Sequence, residues 1–551
     1  MKKLSRREVL RVMGIGSAGA LLAACAPPAP AAAPPASAAA PVATTAPAAA
    51  VEPTKEPAPA AAPANGAPEK ITLVESWFGV PQFKESIDPV TTALSKKAQA
   101  EGLNVEFSSL LLDDHETKYP VLYASGAEFT MAFDAPWYKM TSLRAQNALL
   151  PLEGLFDTVG KKVKEEVTAP IYKANFVGEH IYGIPTAYYY GGTGGVIYRE
   201  DLRVKYNAPA PTLEGGWASL EPYLEALTKN EKAIIPFGNV TTQSLTAYHR
   251  GTKGWGTALG PTKTGVSIPD VTKDFKVIDE EDNAPFIDAA KLLRSWWEKG
   301  YVNKTDLTFS GSSQNAQVDY VFPGKTAACV ENEPDYKWVD QNKQMKSSLK
   351  DAELRGLDMR AMRAGNKGTG SLKQWNFIVF NASAPKAQQE AGMKWYDWLV
   401  SSQDNIDLWM MGIEGVNYKK EDNLRFSEIE GIDAARNYRR QWYVSGVSGR
   451  FQRQFKDLPK EAEEALKFFS TAENWVFNPY EQFEPDVKSL EVDAAKLSAI
   501  YDEALHGLNT GQEPTEDAIK KMKKMLDDAG RQAYKEKLQK QLDDFIAAHK
   551  A

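Results

Sequence analysis

The chain reads as an α/β protein of two lobes, each a mainly parallel sheet flanked by helices, with a helical C-terminal extension. Three observations predict this. From Lys70 on, strand-like runs alternate with helix-like runs, and a strand–helix–strand order sets its strands in parallel. Within residues 180–199, two short strands, Tyr182-Gly183-Ile184-Pro185 and Val196-Ile197-Tyr198-Arg199, flank three consecutive tyrosines and four nearby glycines, a pattern that reads as a crossing between lobes with a ligand cleft beside it. From Ser489 to the end the pattern is helical.

The first 68 residues stand apart. Lys2, Lys3, Arg6, Arg7 and Arg11 open the chain, residues 12–24 are apolar or small, and Leu22-Ala23-Ala24-Cys25 follows. That order is a signal peptide, residues 1–24, whose apolar run falls short of the roughly 20 residues of a membrane span. Leu-Ala-Ala-Cys resembles the bacterial lipobox, which implies a lipid on Cys25 and an anchor on the extracytoplasmic face of the cell membrane. Ser5-Arg6-Arg7-Glu8-Val9-Leu10-Arg11 resembles a twin-arginine export signal, with a Sec signal carrying an incidental arginine pair as the other reading. Residues 25–68 are then the lipidated cysteine and an Ala/Pro tether, too poor in apolar side chains to form a core and stiffened by proline. With Cys25 acylated only Cys329 remains, so no internal disulfide is expected and the fold must be held by its core. Removing residues 1–24 takes the formal net charge from −7 to −11, and an acidic chain without Lys/Arg blocks is a poor partner for nucleic acid.

In the first lobe, Ile71-Thr72-Leu73-Val74-Glu75-Ser76-Trp77 alternates as a strand. A helix is expected from Pro89 to Glu101 with Val90, Leu94 and Ala98 on one face, then a strand from Leu103 to Phe107. Ligands of open α/β sheets bind outside the carboxyl ends of strands, which makes Trp77 a cleft candidate. Phe129-Thr130-Met131-Ala132-Phe133-Asp134 is the next strand, followed by Ala135-Pro136-Trp137-Tyr138. Asp134 suits either a ligand contact or a helix N-cap before Pro136, two compatible roles, and Trp137 offers a flat face. Tyr189 and Tyr190 belong to the aromatic crossing. Asp113-Asp114-His115-Glu116 reads as a solvated turn, and no metal or cofactor is expected.

The second lobe holds a strand at Ile234-Ile235-Pro236-Phe237-Gly238-Asn239, then Trp255 between glycines, a pattern of surface or cleft. Residues 283–299 form an amphipathic helix with a Trp296-Trp297 pair and Gly300 at its C′ position. Asn332 and Glu333 end the strand Ala327-Ala328-Cys329-Val330, facing the cleft or capping a helix that starts at Pro334. Gln374-Trp375-Asn376-Phe377-Ile378-Val379-Phe380 crosses back, with Trp375 beside the hinge.

Gly183-Ile184-Pro185, the aromatic run, Val196-Ile197-Tyr198-Arg199 and Asp201-Leu202 together resemble extracellular solute-binding proteins of family 1, the sugar receptors of ABC importers. So do Phe322-Pro323-Gly324-Lys325-Thr326-Ala327, Ser383-Ala384-Pro385 and Gly412-Ile413-Glu414-Gly415-Val416-Asn417-Tyr418, the last resembling a lipoprotein-type oligosaccharide-binding subgroup. The resemblance implies a type II periplasmic-binding-protein fold that closes on a carbohydrate and delivers it to membrane permease subunits. Residues 69–183 and 372–415 would be lobe 1, and residues 184–371 and 416–551 lobe 2 with the C-terminal helices. Trp77, Trp137, Tyr189, Tyr190, Trp255 and Trp375 would supply apolar planes, Asp134 and Asn332 hydroxyl contacts, in a monomer that is not an enzyme.

No His-Glu-x-x-His, Gly-x-Ser-x-Gly, P-loop or Cys-x-x-Cys is present. A carboxylate pair is assembled in space, so a lipid-anchored glycosidase or lyase is the rival reading; a surface adhesin is a third.

Overall fold

The computed structural model describes residues 66–75, 83–112, 115–186, 190, 194–246, 263–268, 275–304, 321–331, 334–358, 367–422, 424–432, 436–438, 440 and 453–549. Ten strands position the site: β1 (Glu69–Glu75), β2 (Val105–Leu111), β3 (Met131–Asp134), β4 (Gly183–Pro185), β5 (Gly195–Arg199), β6 (Ala328–Glu331), β7 (Leu354–Asp358), β8 (Gly368–Gly370), β9 (Phe377–Phe380) and β10 (Trp475–Phe477). The helices that matter here are α1 (Lys84–Ala100), α2 (Ala284–Lys299), α3 (Pro334–Ser348), α4 (Lys386–Leu399), α5 (Gln403–Met411), α6 (Val487–Thr510), α7 (Thr515–Asp528) and α8 (Arg531–His549). α1 begins five residues before the Pro89 from which the sequence predicted it.

The first sheet has the order β2–β1–β3–β9–β4. β1 pairs in parallel with β2 and β3, while β9 runs antiparallel to both β3 and β4. In the second sheet β5 lies between β6 and β7, antiparallel to each. Parallel bridges Ile235↔Thr326 and Phe237↔Val302 widen it through the expected strand at 234–239. In each sheet one strand runs against the direction of the others, and that strand is the one the chain enters on crossing over. Two separate cores follow from the period-2 alternation of side chains. Ile71 and Leu73 face one core with Ile378 and Phe380, whereas Val74 faces the opposite side with Phe377 and Val379. In the second sheet Val196 and Tyr198 join one cluster and Ile197 another.

α2 starts after Asn283 and ends at Gly300, whose φ of 76° is the left-handed conformation that glycine adopts without a Cβ penalty. It is buried on two sides. Ala289, Leu293 and Trp296 face the second sheet's core, and Phe286 and Ala290 face a core built by α6, α7 and α8. Arg531, fully buried, forks onto Glu281 at 2.5 and 2.6 Å and reaches Asp527 at 2.8 Å, fastening the C-terminal helices to the chain just before α2. The Arg199-Glu200-Asp201 run ties strands together locally. Arg199 grips Asp201 at 2.7 and 2.6 Å, and Asp201 accepts the Glu353 amide at 3.0 Å, locking β5 to the start of β7.

After residue 415, several described side chains pack against the first lobe. Tyr438 is part of the core that holds Trp395, Tyr396 and Trp409, and Arg440 pairs with Glu75 in full burial. Arg453 makes a buried fork with Asp407 of α5 at 2.8 and 2.7 Å. The reason is charge: a carboxylate inside a core requires a partner, and the later segment supplies it.

Replacing Arg453 by Met leaves Asp407 buried without its cation and is expected to cost about 3–5 kcal/mol in denaturant unfolding. Asp407→Leu combined with Arg453→Met should recover most of that loss, and a double variant as unstable as the single one would contradict this account.

Candidate functional site

The reversed strands bring the carboxyl ends of their neighbours to the crossings. Phe377, the first residue of β9, sits in register with Asp134, the last of β3, and with Pro185, the last of β4. Gly195, the first of β5, is flanked by Glu331 and Asp358, the last residues of β6 and β7. Asn376 is the junction on the first-lobe side. Its carbonyl accepts the Thr186 amide at 3.1 Å and the Thr186 hydroxyl at 2.8 Å, and its side-chain oxygen accepts the Trp137 indole N–H at 3.3 Å.

Two indoles stand out here. Trp137 is 53% exposed and Trp375 62% exposed, whereas Trp217, Trp296, Trp395 and Trp409 are buried. A large apolar ring left in solvent is the informative exception to the burial rule, and two of them share one strand junction through Asn376. Trp137 follows β3 and Trp375 precedes β9, so antiparallel register brings them to the same end of the sheet.

Asp134 is fully buried. One carboxylate oxygen accepts the amides of Ala135 at 2.7 Å and Lys139 at 3.0 Å, and the other accepts the Tyr119 hydroxyl at 3.0 Å. Asp134 closes the turn that presents Trp137, and no helix starts at Pro136. Tyr190 is half-buried and its backbone holds the crossings together. Its carbonyl accepts the Ser371 amide at 2.6 Å, its amide donates to Phe469 at 3.3 Å, and its ring meets Phe477 edge-on at 5.8 Å. β8 pairs with β10, so a third pass of chain, unforeseen from the sequence, joins the first two. A methyl at Gly370 would lie 2.6 Å from the Tyr190 carbonyl oxygen and 2.9 Å from Phe477 and Trp475 side-chain atoms, so only glycine lets the passes meet. Trp77, Tyr189, Trp255 and Asn332, and the lipid-attachment candidate Cys25, lie outside the described residues. Sequence reasoning missed Asn376 and Thr186. Their signal was weak, small polar residues at strand edges next to aromatic ones.

Burial pushes the Asp134 carboxyl from its ordinary 3.8 to about 7, against the pull of the amides and of Tyr119. The folded group holds its proton more tightly than the unfolded one, so its stabilising contribution is complete below about pH 4 and is lost as pH rises through about 7. Asp134→Asn keeps an acceptor for the two amides and removes the titration. Its stability relative to the parent chain should rise by about 1–4 kcal/mol between pH 4 and 8, read by chemical denaturation across that range. A difference flat in pH would contradict the assignment.

Residues 479–547 match a domain of unknown function (DUF3502). No curated protein matches the chain. Solved structures do. The chain is similar to the N-glycan transport solute binding protein NgtS of Streptococcus pneumoniae, with TM-score 0.70 and 16% identity over 88% of this chain and all of that one. NgtS is also known in complex with Man5GlcNAc, with TM-score 0.59 and 17% identity over 88% of this chain and 100% of that one. An HMO-binding, ABC-transporter-associated solute binding protein of Bifidobacterium longum infantis matches with TM-score 0.56 and 14% identity over 88% of this chain and 100% of that one. The alginate-binding protein AlgQ2 matches with TM-score 0.55 and 14% identity, over 87% and 98%. The chain has the two-lobe, type II periplasmic-binding fold of these solute-binding proteins.

Proposed function

We propose that this protein is a membrane-tethered, extracytoplasmic receptor that captures an oligosaccharide between its two lobes and hands it to an ABC importer. The observation that carries the reading is the pair of exposed indoles, Trp137 on the turn after β3 and Trp375 on the crossing into β9, set at the same end of the first sheet beside Asn376. Sugar rings offer flat C–H faces to aromatic planes and hydroxyls to amides and carbonyls. Tyr190, Tyr189, Trp77, Trp255 and Asn332 would extend that surface, and Asp134 acts by holding the Trp137 turn. Proteins of this fold named for N-glycan, HMO and alginate binding support a carbohydrate as the ligand class. A ligand that touches both lobes gains from their approach and shifts the population to the closed form, which a permease then recognises. Cys25, acylated, would tether the monomer through residues 26–68.

Calorimetry with Man5GlcNAc and a panel of neutral oligosaccharides tests the reading. At least one is expected to bind and to be recovered uncleaved, and Trp137→Ala and Trp375→Ala should each weaken it about tenfold or more. Product release would favour the glycosidase or lyase, and affinity indifferent to both substitutions would remove the indoles from the site. Cys25→Ser should move the protein from the membrane fraction to the soluble extracytoplasmic fraction, and continued membrane association would argue against the lipid anchor.

A further inference from the structure

Residues 478–484 touch both halves of the molecule. Toward the first lobe, a Glu481 oxygen accepts the Leu372 amide at 2.7 Å, and Gln482 donates to the Lys173 carbonyl at 2.9 Å. Glu484 pairs with Arg144 at 3.0 Å and with Lys373 at 3.2 Å. Toward the C-terminal helices, the Tyr480 ring meets Phe275 edge-on at 4.9 Å and Phe483 meets Phe545 of α8 at 5.5 Å. Phe483 belongs to the core shared with α2 of the second lobe. The match to the domain of unknown function begins in this segment.

What the first-lobe contacts hold is the approach to Trp375. Leu372 is gripped on both edges, its amide by Glu481 and its carbonyl by the Asn175 side chain at 3.0 Å; the Asn175 oxygen accepts the Gln374 amide at 2.8 Å. The Leu372 amide and carbonyl and the Gln374 amide are therefore taken up immediately before the exposed indole. Glu481 is 7% exposed. A carboxylate so buried is costly unless it is hydrogen-bonded, and a backbone amide three residues from Trp375 supplies that bond.

We propose that residues 478–484 are a strap through which the C-terminal helices position Trp375, with Glu481 and Glu484 as positioning residues for ligand affinity. The strap makes the C-terminal domain part of the hinge: movement of the helices against the first lobe is transmitted to the 371–375 turn, and so to the indole. This rests on the reading of Trp375 as a sugar platform only for its consequence for affinity.

Hydrogen exchange on the full chain, with thermal melting and calorimetry against Man5GlcNAc, tests it. In Glu481→Ala, amides of 371–376 should exchange about tenfold faster, while those of α7 and the melting temperature stay near the parent values. Glu481→Gln keeps an oxygen for the Leu372 amide and should restore most of the protection. Glu484→Ala should act in the same direction with smaller amplitude, and it serves if Glu481→Ala does not fold. Affinity for Man5GlcNAc should fall about tenfold in Glu481→Ala. Exchange at 371–376 that is unchanged, or that quickens equally in α7, overturns the strap; faster exchange with affinity equal to the parent's overturns the role of Glu481 and Glu484 in ligand affinity. If the parent chain binds no saccharide yet exchange responds as expected, the proposed function falls and the strap stands.

Discussion

A chain that leaves one sheet at the carboxyl ends of its strands must enter the next sheet at that same edge, and so must run against its new neighbours. This constraint explains both reversed strands. β5 begins at Gly195 between the ends of β6 and β7, and β9 begins at Phe377 between the ends of β3 and β4. The consequence is that strand ends from both lobes gather around the crossings. Side chains on the loops there are positioned by sheets yet are not needed for either core, which is the usual setting of ligand sites in α/β proteins.

Packing at the crossings is close because a glycine permits it. Gly370 brings Tyr190 and the Trp475–Phe477 strand to its own backbone, so three passes are bound into one joint. Around the joint, buried charges decide which late segments belong to which lobe. Glu75 and Asp407 draw Arg440 and Arg453 to the first lobe, while Glu281 draws Arg531 to the second. Such pairs are weak sources of net stability but exacting about partners, because a carboxylate stripped of its cation in a core is strongly unfavourable.

Much of the fold was legible residue by residue. The Trp296 face of α2, its Gly300 terminus, the helix opening at Pro334 and the strand ending at Asp134 all follow from local periodicity and backbone preference. The site was legible in part. Trp137 and Trp375 were readable as aromatics at strand ends, and both are exposed. Asp134 was ambiguous because a cap and a ligand contact ask for the same short acceptor, and its amide and tyrosine donors, which tie it to the Trp137 turn, appear only in the fold. The pairing of Arg440 with Glu75 and the third pass at 475–477, which pairs with 368–370, were not legible, since each depends on partners far along the chain.

The sequence by itself determined the alternation of strands and helices, the two crossings and the aromatic character of their loops, because φ/ψ preference and side-chain period act over a few residues. Tertiary structure decided which strands reverse, which indoles stay in solvent and which lobe each late segment joins. Those outcomes depend on burial and on the pairing of charges brought together from distant parts of the chain, and no local pattern encodes them.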